Sequence, residues 1–405
     1  MPLSDIEKMR VDKIHRLRSE GIEPYPGRAN RTHTTLQAIR LFEEAEAKAE
    51  TEAIHVTLAG RIRAVRTMGK LAFAHIEDGT GRIQLFLRIN EIGEEQLRHF
   101  ADDFDLGDFI QAEGTLMRTR TGEISLLVLA FKMLAKAVTP LPAAKDEVVD
   151  GQVIKHATLS DPETRYRQRY ADLAVNTEVR EVFKARAAIT RSLRKFLDDR
   201  DFIEVETPVL QPIYGGAAAR PFTTFHNQLK QNLYLRISFE LYLKRRLVGM
   251  FEGVYEIGRD FRNEGVDFKH NPEFTQLEFY WAYADYLKVM ELTEQMVCFV
   301  CDEVLGKRVF EYDGRQIDVN PPWNRVDLRQ GLLEVTDIDI QQHPTTESLA
   351  TAMRAKGIPV NPDASRGRLI DSLLGDYLEP TFIQPTFLYD YPRDISPLAK
   401  SKPGE

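Results

Sequence analysis

The amino-acid sequence predicts an α+β chain in which a small five-stranded β-barrel precedes a larger domain built on an antiparallel sheet. Two observations carry this expectation. Residues 54–138 contain five short β-patterned runs punctuated by glycine turns, whereas residues 179–353 alternate β-like runs with helical ones. At 405 residues the chain is also too long for one ordinary core, so the two patterns are assigned to separate domains.

Composition excludes more than it identifies. With 43% apolar and 29% charged residues and no apolar run long enough to span a bilayer, no membrane association is expected. The opening MPLSDIEKMRVDK mixes acidic with basic residues and lacks an apolar targeting core, so a cytoplasmic location is expected. Cys298 and Cys301 form a C-x-x-C, but no second pair completes a zinc site, and LTEQMVCFVCDEVL reads as an apolar-periodic helix; buried core thiols are the expectation. The balance of 54 basic against 62 acidic residues neither advertises nor excludes nucleic-acid binding, because the field that matters is local.

The elements follow in order. From Ser4 to Gly21, the residues Ile6, Met9, Val11, Ile14 and Leu17 recur near the helical period, with Ser4 a suitable N-cap and Gly21 a suitable stop. A second helix is predicted over Thr35 to Glu52, making residues 1–53 a helical extension. Residues 54–140 then supply VTLAGRIRAVR, LAFAHIED, RIQLFLR, DFIQAEGTLMRT and EISLLVLAFKMLAK as strands, with a helical insertion from about Glu91 to Phe104 after the third. That order suits the OB-fold barrel, a common oligonucleotide binder, with an SH3-like barrel as the alternative. Pro140, Pro142 and the acidic stretch Asp146 to Asp150 mark a linker over residues 141–178. A long amphipathic helix, Val179 to Asp199, opens the domain assigned to residues 179–405, with Val182, Phe183, Ile189, Leu193, Phe196 and Leu197 on one face. Near the end a strand-like run, Thr386 to Tyr391, leads into a polar turn, and whatever it pairs with or leads to is expected to be absent.

The segment from Val254 to Tyr283 carries the chemistry. Two β-like runs flank a polar loop, Gly265 to Glu273, that is longer than a simple hairpin needs. Strand alternation puts Phe274, Gln276, Glu278 and Tyr280 on one face and Thr275, Leu277, Phe279 and Trp281 on the other; Arg262 and Glu264, two apart, are expected to point the same way. An arginine fork suits a phosphate or carboxylate, a ring suits a purine, and buried carboxylates suit ammonium groups. A solvated face laced with ion pairs is the competing reading. Lys269 and His270 at the loop tip favour the functional one, as phosphate contacts.

These residues carry a resemblance. FRNE followed by HNPEFTQLEFYWAYADY resembles motif 2 of the class II aminoacyl-tRNA synthetases, in the wording of the lysine-specific members. FIEVETPVL resembles motif 1, GGAAARPF the substrate loop, NLYLRISFELYLKR the strand and helix after it, and PTFLYDYPRDISPLAK the stretch ahead of motif 3. The ordered series is specific where a lone R-x-E would be weak, and it covers essentially the whole chain. Departures are Ala218 in the loop and Ser238-Phe239, where the family usually has Ala-Pro.

The resemblance implies a class II antiparallel-sheet catalytic domain that activates L-lysine with ATP and Mg2+ and transfers it to tRNA(Lys), in a homodimer. Arg262 would bind the ATP α-phosphate and the substrate carboxylate; Glu264, Phe274 and Asn271 would hold adenine; His270 would meet the distal phosphates. Glu240 and the Gly216 backbone would take the α-amino group, with Glu278, Tyr280 and Arg236 around the side chain. For Glu240, a helix-start carboxylate in a favourable dipole is a fair competitor. In the barrel, Phe73 would stack an anticodon base and Gln84, with Glu123, read its edge, while Arg61, Arg63 and Arg66 would meet phosphates; Phe73 as barrel core is the alternative. The motif 1 helix and strand, with Phe202 and Pro208, would form the two-fold interface. The family's metal ligands and motif 3 are expected beyond Glu405, so no metal ligand is assigned within the chain and its C-terminal part of the catalytic domain is expected to be missing. A catalytically incomplete tRNA-binding paralogue or fragment is thus the second reading, and an aspartate or asparagine enzyme the third.

Overall fold

The computed structural model describes residues 2–50, 52–142, 145–149, 152–156, 159–267, 270–397 and 399–402, with 145–149 and 152–156 as backbone alone. The chain divides into two compact units, residues 1–180 and 181–405.

The first unit begins with α1 (Asp5–Ser19), which starts at the predicted cap. The Ser4 hydroxyl accepts the Glu7 N–H, and the Glu7 carboxylate accepts the Ser4 N–H, closing two orphan donors reciprocally. Helix α2 (Thr35–Ala47) is capped in the same way by Thr34 and Gln37, but stops short of the predicted Glu52. Ala49 lies in the left-handed region at φ 55, so the helix has already turned there.

Strands β1 (His55–Met68), β2 (Leu71–Glu77), β3 (Arg82–Arg88), β4 (Phe109–Arg118) and β5 (Ile124–Ala135) close into a barrel ordered β1-β2-β3-β5-β4. Only the β3–β5 pairing is parallel. Helices α3 (Ile89–Ile92) and α4 (Glu94–Asp103) occupy the predicted insertion. Strict alternation along β2 buries Ala72, Ala74 and Ile76 and leaves Phe73 and His75 on the outer face. Leu17 of α1 and Ala38 of α2 join the barrel core, which is how the helical extension is fastened.

Residues predicted as linker carry structure of their own: β6 (Lys145–Val149) and β7 (Gln152–His156) pair as a hairpin, followed by α5 (Pro162–Arg167) and α6 (Arg169–Val175). Asp150, the end of the acidic stretch, lies outside the described residues.

Helix α7 (Glu178–Asp198) leads into the second unit. Then come β8 (Ile203–Glu204), β9 (Leu210–Gln211), β10 (Thr223–His226), β11 (Gln231–Leu235), α8 (Glu240–Val248), β12 (Gly253–Phe261), β13 (Glu273–Trp281) and α9 (Tyr286–Leu305). One sheet is ordered β13-β12-β8, antiparallel between β12 and β13 and parallel between β12 and β8; the other is ordered β10-β11-β9. Leu277 and Phe279 of β13 pack with Phe196, Leu197, Phe202 and Met296, so the predicted apolar face is the packed one. Cys298 and Cys301 are buried free thiols of α9, as read from the helical period.

The chain continues through the hairpin β14 (Val309–Tyr312) and β15 (Arg315–Asp318), then β16 (Asn324–Asp327), α10 (Leu328–Thr336), α11 (Thr346–Ala355) and α12 (Arg366–Leu373). These last three helices gather a separate core around Leu332, Leu349 and Ile370. The final strand, β17 (Thr386–Tyr389), corrects an expectation: it does have a partner, pairing in parallel with β16. Among the described residues no helix is long and apolar enough to cross a membrane.

Candidate functional site

The β12–β13 register builds one polar face. Asp260 lies opposite Phe274, Gly258 opposite Gln276, Glu256 opposite Glu278 and Val254 opposite Tyr280. Three carboxylates therefore share a surface with one aromatic ring at each end. Glu278 is firmly held: its Oε1 accepts the Ser238 hydroxyl and the Gln276 amide, both at 2.8 Å, while its Oε2 lies 3.5 Å from the Tyr280 hydroxyl. Burial, followed by the charges of Glu278 and Glu240, pushes the Tyr280 phenol upward in pKa, so it stays a neutral donor.

An open cleft of about 530 Å³ is lined by Gly216, Ser238, Glu240, Glu278, Tyr280 and the edge of β13. Gly216 is required there: at φ +93, an added Cβ would stand 2.8 Å from both the Glu240 Cβ and the Ser238 Oγ. The Glu240 carboxylate at the start of α8 is met by Lys244 at 2.6 Å, one helical turn on.

Arg236 does not line this cleft, contrary to its predicted position. It is 3% exposed, donates to Glu256 at 2.6 Å and to the carbonyls of Thr207 and Arg259, and lies 3.4 Å from Asp260. Its guanidinium covers the Phe239 ring at 4.2 Å and fills the space over Gly258, where a Cβ would meet it at 2.6 Å. Arg236 thus braces the polar face from within, between Glu256 and Asp260.

Arg262 and Glu264 follow the end of β12 at Phe261, so strand alternation does not govern them. Arg262 is anchored through its backbone N–H to the Pro272 carbonyl, and its guanidinium lies 5.1 Å from the Phe274 ring centroid. Glu264 is exposed, at 3.4 Å from the Arg220 N–H, which ties the substrate loop to the polar loop. His270 is exposed and bonded to Asp267 at 2.8 Å, and Asn271 is exposed beside it. Lys269 lies outside the described residues.

Sequence reasoning missed Asp260, Glu256 and Ser238. Asp260 is fully buried, neither oxygen has a hydrogen-bond partner, and the buried Nε of Arg262 lacks one too. Burial pushes the Asp260 carboxyl up to about 7, against the pull of Arg236 and with Glu278 and Glu256 adding repulsion. Reading the period of two along β12 itself, through Glu256, Gly258 and Asp260, would have found this row.

On the barrel, β1, β2 and β3 bring most of the predicted base-reading residues together. Arg66 is exposed opposite Phe73, and Phe73 stacks on Phe86 with ring centroids 4.8 Å apart and planes within 4°. The ring is therefore a half-exposed outer platform rather than core. Gln84 and Glu123 are hydrogen-bonded at 2.7 Å. Arg63 is held by Glu77 at 3.2 Å and Arg61 covers the Phe109 ring at 4.7 Å, so both have intramolecular partners.

Phe202, predicted at a two-fold interface, is only 4% exposed and packs edge-on against Phe279 and over Gly253; its side chain belongs to the chain's own core. Pro208 is exposed. Among the described residues, no three His, Cys, Asp or Glu side chains are grouped to hold a metal ion.

Comparison with known proteins gives the family. Residues 161–405 match the family model of class II tRNA synthetases (D, K and N), and residues 56–134 match that of the OB-fold nucleic acid binding domain. The chain is similar to a Lysine--tRNA ligase of Chloroflexus aurantiacus, 49% identical over 404 residues spanning 100% of this chain and 79% of the relative. It is 50% identical to a Lysine--tRNA ligase of Roseiflexus castenholzii over 100% of this chain and 80% of that one. A Lysine--tRNA ligase of Clostridium novyi is 45% identical over 98% of this chain and 75% of its own length.

Proposed function

The chain belongs to the lysine--tRNA ligase family of class II tRNA synthetases, and we propose that it serves ATP-dependent activation of L-lysine and transfer of the lysyl group to tRNA(Lys). The observation that carries this is the carboxylate-rich face of β12 and β13 beside the cleft holding Gly216 and Glu240. A side-chain ammonium is attracted to such a face, whereas an aspartate side chain is repelled by it.

In this reading, Glu278 and Tyr280 receive the lysine side chain, and Glu240 with the Gly216 backbone receives the α-ammonium. Arg262 then bridges the lysine carboxylate and the ATP α-phosphate. Phe274 stacks adenine, Glu264 and Asn271 hold its edge, and His270 meets the distal phosphates. A carboxylate oxygen attacks the α-phosphorus as the bond to pyrophosphate breaks, giving lysyl-adenylate; the terminal ribose hydroxyl of tRNA next attacks the acyl carbon and releases AMP. The attacking carboxylate is already ionised near neutral pH, so the first step needs position and charge neutralisation rather than a general base. Arg236, buried on the same face, acts as a positioning residue for Glu256 and Asp260. Magnesium, which the family implies, would when bound neutralise phosphate charge alongside Arg262.

The barrel contributes anticodon reading through Phe73, Gln84 and Glu123, with Arg66 on the phosphates. Val182, Phe183 and Ile189, exposed at 67%, 48% and 39% on α7, with Pro208 nearby in sequence, suit a homodimer contact. A cytoplasmic location accords with tRNA as partner. Pyrophosphate exchange into ATP, measured on the gene product that contains this chain, tests the activity. Exchange that requires L-lysine is expected; exchange driven by aspartate or asparagine, or by no amino acid, overturns the reading.

A further inference from the structure

His75 was not among the residues to which the sequence assigned a role, yet it closes a hydrogen-bond chain across the barrel face. Register places His75 of β2 directly opposite Gln84 of β3, and Gln84 opposite Ser125 of β5, so the three side chains form one row. Ser125 Oγ donates to Gln84 Oε1 at 2.9 Å. Gln84 Nε2 donates to Glu123 Oε2 at 2.7 Å, and His75 Nε2 meets Glu123 Oε1 at 2.8 Å. Two residues away on the same face lies the Phe73–Phe86 stack.

The chain of bonds has a direction. An ionised carboxylate only accepts, so His75 carries its proton on Nε2 and Gln84 turns its nitrogen towards Glu123 and its oxygen towards Ser125. Flipping the amide would set an oxygen against the carboxylate and lose the bond to Glu123. Glu123 itself is exposed and stands at the end of the Thr119–Glu123 turn, where, among the described residues, these two side-chain bonds fix its carboxylate. Without the imidazole, one of its oxygens loses its protein donor, and the restraint that orients the amide slackens.

We infer that His75 is a positioning residue for base recognition: by holding Glu123 it fixes the donor and acceptor pattern that Gln84 presents to a base stacked on the Phe73 platform. This rests on the anticodon-reading role proposed above for the barrel. His75 sets which base is accepted, whereas the exposed arginine Arg66 sets how tightly any RNA is held.

The test uses the full chain and synthetic anticodon hairpins of tRNA(Lys) in which each anticodon base is varied in turn through A, C, G and U. Dissociation constants are measured by fluorescence anisotropy over a range of salt. His75→Phe keeps an aromatic ring and loses the donor; it is expected to lower discrimination between matched and mismatched hairpins by about tenfold, with the salt dependence unchanged. His75→Gln, which restores a donor, is expected to recover most of that ratio. Unchanged discrimination in His75→Phe, or an equal loss of affinity for every hairpin, overturns the inference. Gln84→Ala separates the two layers: if it abolishes discrimination while His75→Phe does not, the failure is confined to His75. If the unaltered chain binds all hairpins alike, the anticodon reading itself falls, and this inference with it.

Discussion

The barrel face and the β12–β13 face both set an aromatic ring beside a polar network, but they differ in how far their hydrogen bonds are closed. On the barrel, Ser125, Gln84, Glu123 and His75 satisfy one another in sequence. On the sheet, both Asp260 oxygens and the Nε of Arg262 are buried without hydrogen-bond partners, although Arg236 lies 3.4 Å from Asp260. A closed network can be rigid before its ligand arrives, which suits discrimination between bases of similar size. An open one keeps hydrogen-bonding capacity for a ligand that brings its own groups, which suits a substrate carrying ammonium, carboxylate and phosphate.

The largest expected effect comes from removing the guanidinium on the open side. Arg262→Ala should lower lysine-dependent exchange by about 10²–10³-fold, the usual loss when a donor to developing charge is removed. Its melting temperature should hardly move, because that side chain's Nε makes no internal hydrogen bond to lose. A comparable fall in stability would place Arg262 with Arg236 as a structural brace.

Asp260 sharpens the same contrast through pH. Its folded-state carboxyl is raised to about 7, whereas an unfolded aspartate titrates at about 4. The folded chain therefore holds the proton more tightly; this contribution is fully present below pH ~4 and is lost as pH rises to about 7. Asp260→Asn removes the dependence. Relative to the unaltered chain, the variant should gain stability that grows between pH ~4 and ~7 and levels off above, reaching on the order of a few kcal/mol in denaturant titrations. A difference independent of pH would mean that Asp260 is ionised throughout.

On the closed side, ring and charge should separate. Phe73→Ala is expected to weaken hairpin binding by about 1–3 kcal/mol without altering its salt dependence. Arg66→Ala should have the smaller effect, weakening all hairpins alike and reducing the salt slope by about one phosphate contact. Reversal of that pattern would mean that the platform is electrostatic and that the ring is only packing.

Local features were the legible ones. The Ser4 cap, the five strands and the two faces of β13 each follow from neighbours within a few residues, through capping chemistry or a period of two. The overrun of α2 past Ala47 has a different cause: an Ala- and Glu-rich run favours a helix, but propensity cannot tell where the burial of Thr35, Ala38 and Ala45 ends. Arg236 was misplaced because its position depends on Thr207, Glu256 and Phe239 converging from separate elements. Phe202 was misplaced because a motif marks a segment, not which of its side chains turns inward. His75 escaped notice because its partner Glu123 lies on another strand connection, 48 residues away.

The carboxylate-rich face is the centre of the functional reading, and Glu278 is its best-held member. The most direct test is the amino-acid dependence of pyrophosphate exchange in Glu278→Gln, which keeps the shape and removes the charge. The account predicts a rise in the KM for L-lysine of about 10²-fold, as for one partner removed from a buried charge pair. An unchanged KM for L-lysine would contradict it, placing the ammonium site elsewhere.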